Sequence, residues 1–95
     1  MAAFVFRKRA FLNPRSTNET SYIQAVVESS YDGEHAWGSN VLTIADCHKV
    51  INLEFCLGNA RTRRAALFKI NLLLRILTAF RNSLLKEIAL IEKIK

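Results

Sequence analysis

Apolar and polar residues alternate along the first third of the chain, a pattern typical of β-strands with one buried face. A first strand is predicted over residues 3–11, and Asn13-Pro14 ends it. A second strand is predicted over residues 21–31, after a polar loop. One face of this second strand is expected to carry its apolar residues: Ile23, Ala25 and Val27.

Two further strands are predicted before the chain turns helical. Residues 32–40 open with Asp-Gly and contain Gly-Ser-Asn, which favours a turn region. Strands are then predicted over residues 41–45 and 49–57. Their inward-facing residues change from even to odd numbers, so residues 46–48 form either a tight turn or a β-bulge. The turn is favoured, because aspartate suits its first position.

The last third of the chain, Asn59 to Lys95, predicts one long helix. It contains no glycine or proline, and Asn59 can cap its first turn. The fold class is therefore α+β. A four-stranded antiparallel meander, or a three-stranded bulged one, over residues 1–58 precedes a C-terminal amphipathic helix that packs on the sheet. Residues 1–95 are expected to form a single domain.

Apolar side chains cover more of the predicted helix than one sheet can bury. The main apolar face repeats at spacings of three and four residues: Ala66, Ile70, Leu73, Leu77, Phe80, Leu84, Ile88 and Ile91. Flanking residues widen this face and are expected to form the interface of a homodimer or higher oligomer: Leu72, Ile76, Leu85, Leu90 and Ile94. Lys69, Arg81 and Glu87 fall within the apolar arc and are expected to rim that interface.

The net charge of +6 is concentrated in the predicted helix. Residues 59–95 hold nine basic and two acidic residues, which gives +7, whereas residues 1–58 carry −1. A basic stripe lies opposite the apolar face and includes Arg64, Arg75 and Lys86. Such a charge favours polyanions, acidic protein surfaces or anionic membranes as partners.

Three groups of residues are candidates for binding an anion. Arg7, Lys8, Arg9 and Phe11 form a basic and aromatic strip in the first strand. Arg61, Arg63 and Arg64 cluster at the start of the helix, where free backbone N–H groups also attract anions. Trp37 in the turn region offers a ring that can stack on a base or close an edge of the core.

Enzymatic and metal-dependent functions are not expected. No catalytic or phosphate-loop motif is present, and Cys47 and His48 are neighbours that point apart in an extended chain. The two cysteines and two histidines lack metal-ligand spacing, so no metal or cofactor is predicted. No signal peptide or transmembrane segment is recognised, and a cytoplasmic location is expected.

Four strands followed by a dimerising helix are similar to the single-strand nucleic-acid binders of the positive-cofactor-4, Whirly and PUR types. This resemblance concerns the outline of the fold and includes no shared motif. The leading hypothesis is a homo-oligomeric, non-enzymatic module that binds a polyanion, most plausibly single-stranded nucleic acid. The alternative is a small adaptor or inhibitor, of mobile-element or phage type, that acts on a larger host protein complex. A third interpretation is a helix bound to a membrane surface.

Overall fold

The computed structural model describes the backbone of residues 2–13, 21–31 and 36–94, and the side chains of residues 5–13, 21–28 and 38–94. It confirms the α+β class, with a four-stranded antiparallel sheet followed by one long helix. The elements are β1 (Ala2–Phe11), β2 (Ser21–Tyr31), β3 (Ala36–Asp46), β4 (Lys49–Glu54) and α1 (Ala60–Ile94).

The sheet is a meander in which each strand pairs with the next along the chain. Antiparallel ladders join β1 to β2 and β2 to β3 over nearly their whole length. Opposite residues share a face of the sheet, so the register divides the side chains into two sets. One face is apolar and includes Phe6, Ile23, Leu42 and Ile51, as the alternation predicted.

Two strand boundaries differ from the sequence prediction. β3 begins at Ala36, so residues 36–40 belong to the strand and not to the turn region. Hydrogen bonds to β2 stabilise the strand conformation of these residues, although their composition favours a turn. Gly38 has a φ of 141°, which glycine adopts readily. β4 ends at Glu54, three residues before the predicted Leu57.

A two-residue turn joins β3 to β4, which confirms the predicted turn over the bulge. Asp46 pairs with Lys49, and Cys47 and His48 are the central residues. Cys47 has a φ of 56°, the only positive φ among the described non-glycine residues. Positive φ at the first central position is the pattern of a type II′ turn, in which glycine is preferred.

Replacing Cys47 by valine is expected to lower the free energy of unfolding by about 1–2 kcal/mol, because a β-branched residue tolerates positive φ poorly. Cys47→Gly removes this strain and should be neutral or slightly stabilising. Urea unfolding followed by circular dichroism, at one fixed protein concentration, measures both. His48→Val is the matched control and should change stability by less than about 0.5 kcal/mol. Equal effects at the two positions would contradict the turn geometry.

Asn40 forms hydrogen bonds with the residue that follows the end of β4. Its side chain is only 7% exposed, and its Oδ1 accepts a hydrogen bond from the Glu28 backbone N–H at 3.2 Å. Its Nδ2 donates to the Phe55 carbonyl at 3.0 Å. The Phe55 N–H in turn donates to the Asn40 carbonyl at 2.8 Å. Asn40 therefore joins β2, β3 and the segment after β4.

Asn40→Leu is expected to destabilise the fold by about 2–4 kcal/mol, because it leaves a backbone donor and a backbone acceptor without a partner. Chemical denaturation at fixed protein concentration measures the loss. Asn71→Leu makes the same chemical change at an exposed position of α1. It should cost less than about 0.5 kcal/mol, and a similar loss for both variants would show that the Asn40 side chain has no special role.

The helix α1 begins with the cap that the sequence predicted. The Asn59 Oδ1 accepts a hydrogen bond from the Thr62 N–H at 2.9 Å, and the Thr62 hydroxyl accepts one from the Asn59 N–H at 3.1 Å. This reciprocal pair satisfies two backbone donors at the helix end. α1 then continues for 35 residues. Lys95, the last residue of the predicted helix, lies outside the described residues.

The chain divides into two compact units, Met1–Arg63 and Arg64–Lys95. Among the described side chains only four are buried: Ser21, Asn40, Ala45 and Ala66. None of the described large apolar side chains is fully buried. Most described side chains of the apolar sheet face are half-buried, and most described side chains of α1 are exposed. Packing of the helix on the sheet and a single domain stay predictions.

Candidate nucleic-acid interface

The second face of the sheet carries the polar and basic side chains. The register places Arg7, Arg9 and Phe11 of β1 on this face, as the alternation in the sequence predicted. Tyr22 and Gln24 of β2 lie directly opposite Phe11 and Arg9. All five side chains therefore belong to one surface, which we call the polar face.

The Arg9 guanidinium is close to two aromatic rings at one end of the polar face. Its guanidinium carbon is 4.0 Å from the centre of the Tyr22 ring and 5.7 Å from the centre of the Phe11 ring. Both separations fall within cation–π range. Phe11 nevertheless stays 67% exposed. A planar cation and an uncovered ring are thus held side by side, and both are surfaces on which a nucleobase stacks.

A row of hydrogen-bonding side chains crosses the sheet next to this aromatic pair. Arg9 lies opposite Gln24, Gln24 opposite Thr43, and Thr43 opposite Asn52. The Thr43 hydroxyl donates to the Asn52 Oδ1 at 2.8 Å, and the Asn52 side chain is exposed. Amide and hydroxyl groups in such a row can read the edges of bases. We call these six residues the Arg9 patch: Arg9, Phe11, Tyr22, Gln24, Thr43 and Asn52.

The other end of the polar face carries one basic and two acidic side chains: Arg7, Glu28 and Glu54. Arg7 forms an ion pair with Glu28 at 3.5 Å, and both side chains are more than half exposed. Glu54 lies on the same row as Arg7, across the sheet. An exposed pair of this kind contributes little to stability. The acidic residues make this end less suited to a polyanion than the Arg9 patch.

Two predicted binding residues are not brought into the Arg9 patch. Lys8 lies opposite Ala25, so it belongs to the apolar face and not with Arg7 and Arg9. The backbone of Trp37 lies in β3, opposite Ser30 on the polar-face register. The Trp37 side chain lies outside the described residues, and its predicted stacking role stays a prediction.

The three arginines at the helix start do not act as one group. Arg61, Arg63 and Arg64 lie within the first two turns of α1 and are exposed. The Arg63 Nη1 donates to the Leu57 carbonyl at 3.0 Å, so part of that guanidinium serves the chain itself. The Asn59 cap occupies the Thr62 N–H, which reduces the number of backbone donors that an anion could use. No acidic side chain lies in the first turn, and the local potential stays positive.

Most of the predicted interface side chains are exposed along α1. Ile76 is 59% exposed, and Leu85, Leu90 and Ile94 are also at least half exposed, whereas Leu72 is half-buried. The main apolar face is exposed from Leu77 onward. Exposed apolar surface of this extent marks an interaction site. Oligomerisation itself stays a prediction.

The described residues contain no metal-ligand cluster and form a small cleft at the end of β4. No three His, Cys, Asp or Glu side chains among them come together as a metal site. A cleft beside Asn40 and Cys56 has a volume of about 200 Å³, below the roughly 300 Å³ at which small-molecule pockets begin. In the described part of α1, no apolar run is long enough to cross a bilayer. No family model, curated protein or solved structure matches this chain.

Sequence reasoning missed the residues that join the Arg9 patch from the other strands. Gln24 alternates with Ile23 and Ala25 and so belongs to the other face of its strand, but Tyr22 was not considered. The partners of both residues depend on a register that the length of residues 12–20 does not fix. The pairing of Thr43 with Asn52 could have been predicted from the sequence, because a two-residue turn after Asp46 fixes the register of β3 and β4. Alternation alone placed Arg9 beside Phe11, whereas the contact of Arg9 with Tyr22 had no signal in the order of residues.

Proposed function

We propose that this chain is a non-enzymatic, homo-oligomeric module that binds single-stranded nucleic acid on the polar face of its sheet. The observation that carries the proposal is the Arg9 guanidinium, 4.0 Å from the centre of the Tyr22 ring and 5.7 Å from the centre of the exposed Phe11 ring. Bases of a single strand stack on such rings and on guanidinium planes, whereas bases within a duplex are already stacked.

The other residues of the Arg9 patch fit the same ligand. A base stacked on Phe11 or on the outer side of the Arg9 guanidinium would place its edge near the row of Gln24, Thr43 and Asn52. Arg7 and Arg9 offer charge to the phosphates, although Arg7 must leave Glu28 to do so. The excess positive charge of residues 59–95 would attract the polyanion from a distance and make binding dependent on salt.

Fluorescence anisotropy with a labelled oligothymidine of about 20 nucleotides tests this proposal. We expect binding at low salt, and a dissociation constant that rises at least about tenfold between roughly 50 and 200 mM salt. An unlabelled duplex of the same length should compete less well than the single strand. No change in anisotropy at low salt with micromolar protein would reject the proposal.

The exposed apolar surface of α1 favours one alternative, an adaptor or inhibitor that binds a larger protein. A basic stripe beside this surface also suits an acidic protein partner. The alternative predicts a stoichiometric protein partner that survives nuclease treatment and is lost when the apolar face of α1 is changed. If nucleic acid co-purifies with the chain and no protein partner does, the adaptor alternative is contradicted.

A further inference from the structure

One apolar stripe runs along α1, and its side chains are exposed over most of its length. Its members recur every three or four residues on one side of the helix: Ala66, Ile70, Leu73, Leu77, Phe80, Leu84, Ile88 and Ile91. Ala66 is buried, and Ile70 and Leu73 are half-buried. From Leu77 onward each member is between 46% and 59% exposed. We call this set the α1 stripe.

We propose that a second copy of this chain covers the α1 stripe, with the two helices antiparallel. This inference deepens the homo-oligomeric part of the proposed function and rests on it. It places the interface on the main apolar face of α1, and not on the flanking residues that the sequence predicted. A two-fold axis between Thr78 and Ala79 places Leu77 opposite Phe80 of the second copy. The same axis places Leu73 opposite Leu84, and Ala66 opposite Ile91. Apolar residues therefore meet apolar residues along the whole stripe.

The charges beside the α1 stripe select the antiparallel orientation. Lys69 and Glu87 are 18 residues apart, which is about five helical turns, so they lie on the same flank of the stripe. In an antiparallel pair, each flank of one helix meets the same flank of the other helix. Lys69 and Glu87 lie on either side of the two-fold axis, at nearly equal distances from it. Lys69 of each copy therefore faces Glu87 of the other, which gives two symmetric ion pairs.

The second flank carries one complementary pair and one like-charged pair. Arg63 and Glu92 lie on this flank, at nearly equal distances on either side of the same axis. Arg81 also lies on it, close to the axis, so the two Arg81 side chains oppose part of this attraction. Both acidic residues of α1 thus find a basic residue in the second copy. A parallel pair would instead bring Glu87 of one helix toward the flank that holds Glu92 of the other. Like charges placed together there oppose association, so the parallel arrangement is disfavoured.

Cysteine cross-linking tests the orientation and the register together. Leu73→Cys and Leu84→Cys are made separately in a Cys47→Gly/Cys56→Ser background, and one of the two proteins carries a size tag. Each is oxidised alone, and then both are unfolded, mixed, refolded and oxidised. We expect cross-linking between the two variants in the mixture. Each variant alone should stay uncross-linked, because its identical positions lie about 16 Å apart along the helix axis.

Self-cross-linking of Leu84→Cys would overturn the proposal, because it requires a parallel pair or another register. A monomeric mass for the background protein would overturn it as well. Charge reversal gives a second readout: Lys69→Glu should raise the dimer dissociation constant about tenfold, and Lys69→Glu/Glu87→Lys should restore it to within about threefold. A double variant as weak as the single variant would contradict the pairing.

The oligonucleotide titration on the background protein separates this inference from the nucleic-acid proposal. Cross-linking between positions 73 and 84 without any oligonucleotide binding would support the antiparallel pair and reject the binding function. If the background protein binds the oligonucleotide and the Leu84→Cys variant cross-links to itself, the binding function is supported and the antiparallel helix pair is overturned.

Discussion

Replacing Leu84 and Ile88 by glutamate is expected to convert the oligomer into a monomer. The two side chains are 46% and 49% exposed in the single chain and lie on the α1 stripe. Burying a leucine or isoleucine contributes about 1.5–3 kcal/mol, and a dimer buries four of these side chains. The dissociation constant should rise at least about a thousandfold. Sedimentation velocity at micromolar concentration measures the change.

Thr78→Glu/Asn82→Glu is the matched control for this prediction. It introduces the same two charges with the same spacing, on the side of α1 opposite the stripe. The control protein should keep its oligomeric state, with a dissociation constant within about threefold of the original. Loss of association in both double variants would point to a general effect of charge. Unchanged association in the Leu84→Glu/Ile88→Glu protein would place the interface elsewhere.

Arg9→Ala/Phe11→Ala should weaken binding of a single-stranded oligonucleotide about a hundredfold. Stacking of one base on an aromatic side chain contributes about 1–3 kcal/mol, and loss of the Arg9 charge adds to this. Both side chains are exposed, so the sheet should keep its stability. Anisotropy titration at fixed low salt gives the affinity, and circular dichroism confirms the fold of the variant.

The control for the binding prediction changes Lys8, on the opposite face of β1, and Leu12, the residue directly after that strand. Lys8→Ala/Leu12→Ala removes one positive charge and one exposed apolar side chain from the even-numbered positions. Its affinity should stay within about threefold of the unchanged protein. If the control and the Arg9→Ala/Phe11→Ala protein lose the same affinity, binding depends on net charge and not on the Arg9 patch.

The sheet could be predicted from the sequence because side chains alternate strictly along a strand. The parity change between Ile44 and Ile51 located the turn at Cys47 and His48 without any knowledge of the fold. Helix periodicity and Asn59 likewise located α1 and its cap. The start of β3 was wrong, because residues 36–40 have turn-like composition. Their strand conformation depends on pairing with β2, which local sequence does not reveal.

The candidate site was only half predictable for the same reason. Arg7, Arg9 and Phe11 share a strand, so alternation alone placed them together. Tyr22 and Gln24 come from the next strand, after a long loop whose length does not fix the register. Lys8 was grouped with its neighbours by charge, yet adjacent residues in a strand point to opposite faces. A cluster of charges in the sequence therefore predicts which side chains share a face of the sheet less well than the alternation of odd and even positions does.

Self-association is the claim on which the account depends most, since the single chain buries so little of its apolar surface. Size-exclusion chromatography with multi-angle light scattering, at micromolar concentration after nuclease treatment, tests it directly. The account predicts a molar mass of at least twice the 10.8 kDa of one chain. A folded protein that elutes with the mass of a single chain would contradict it.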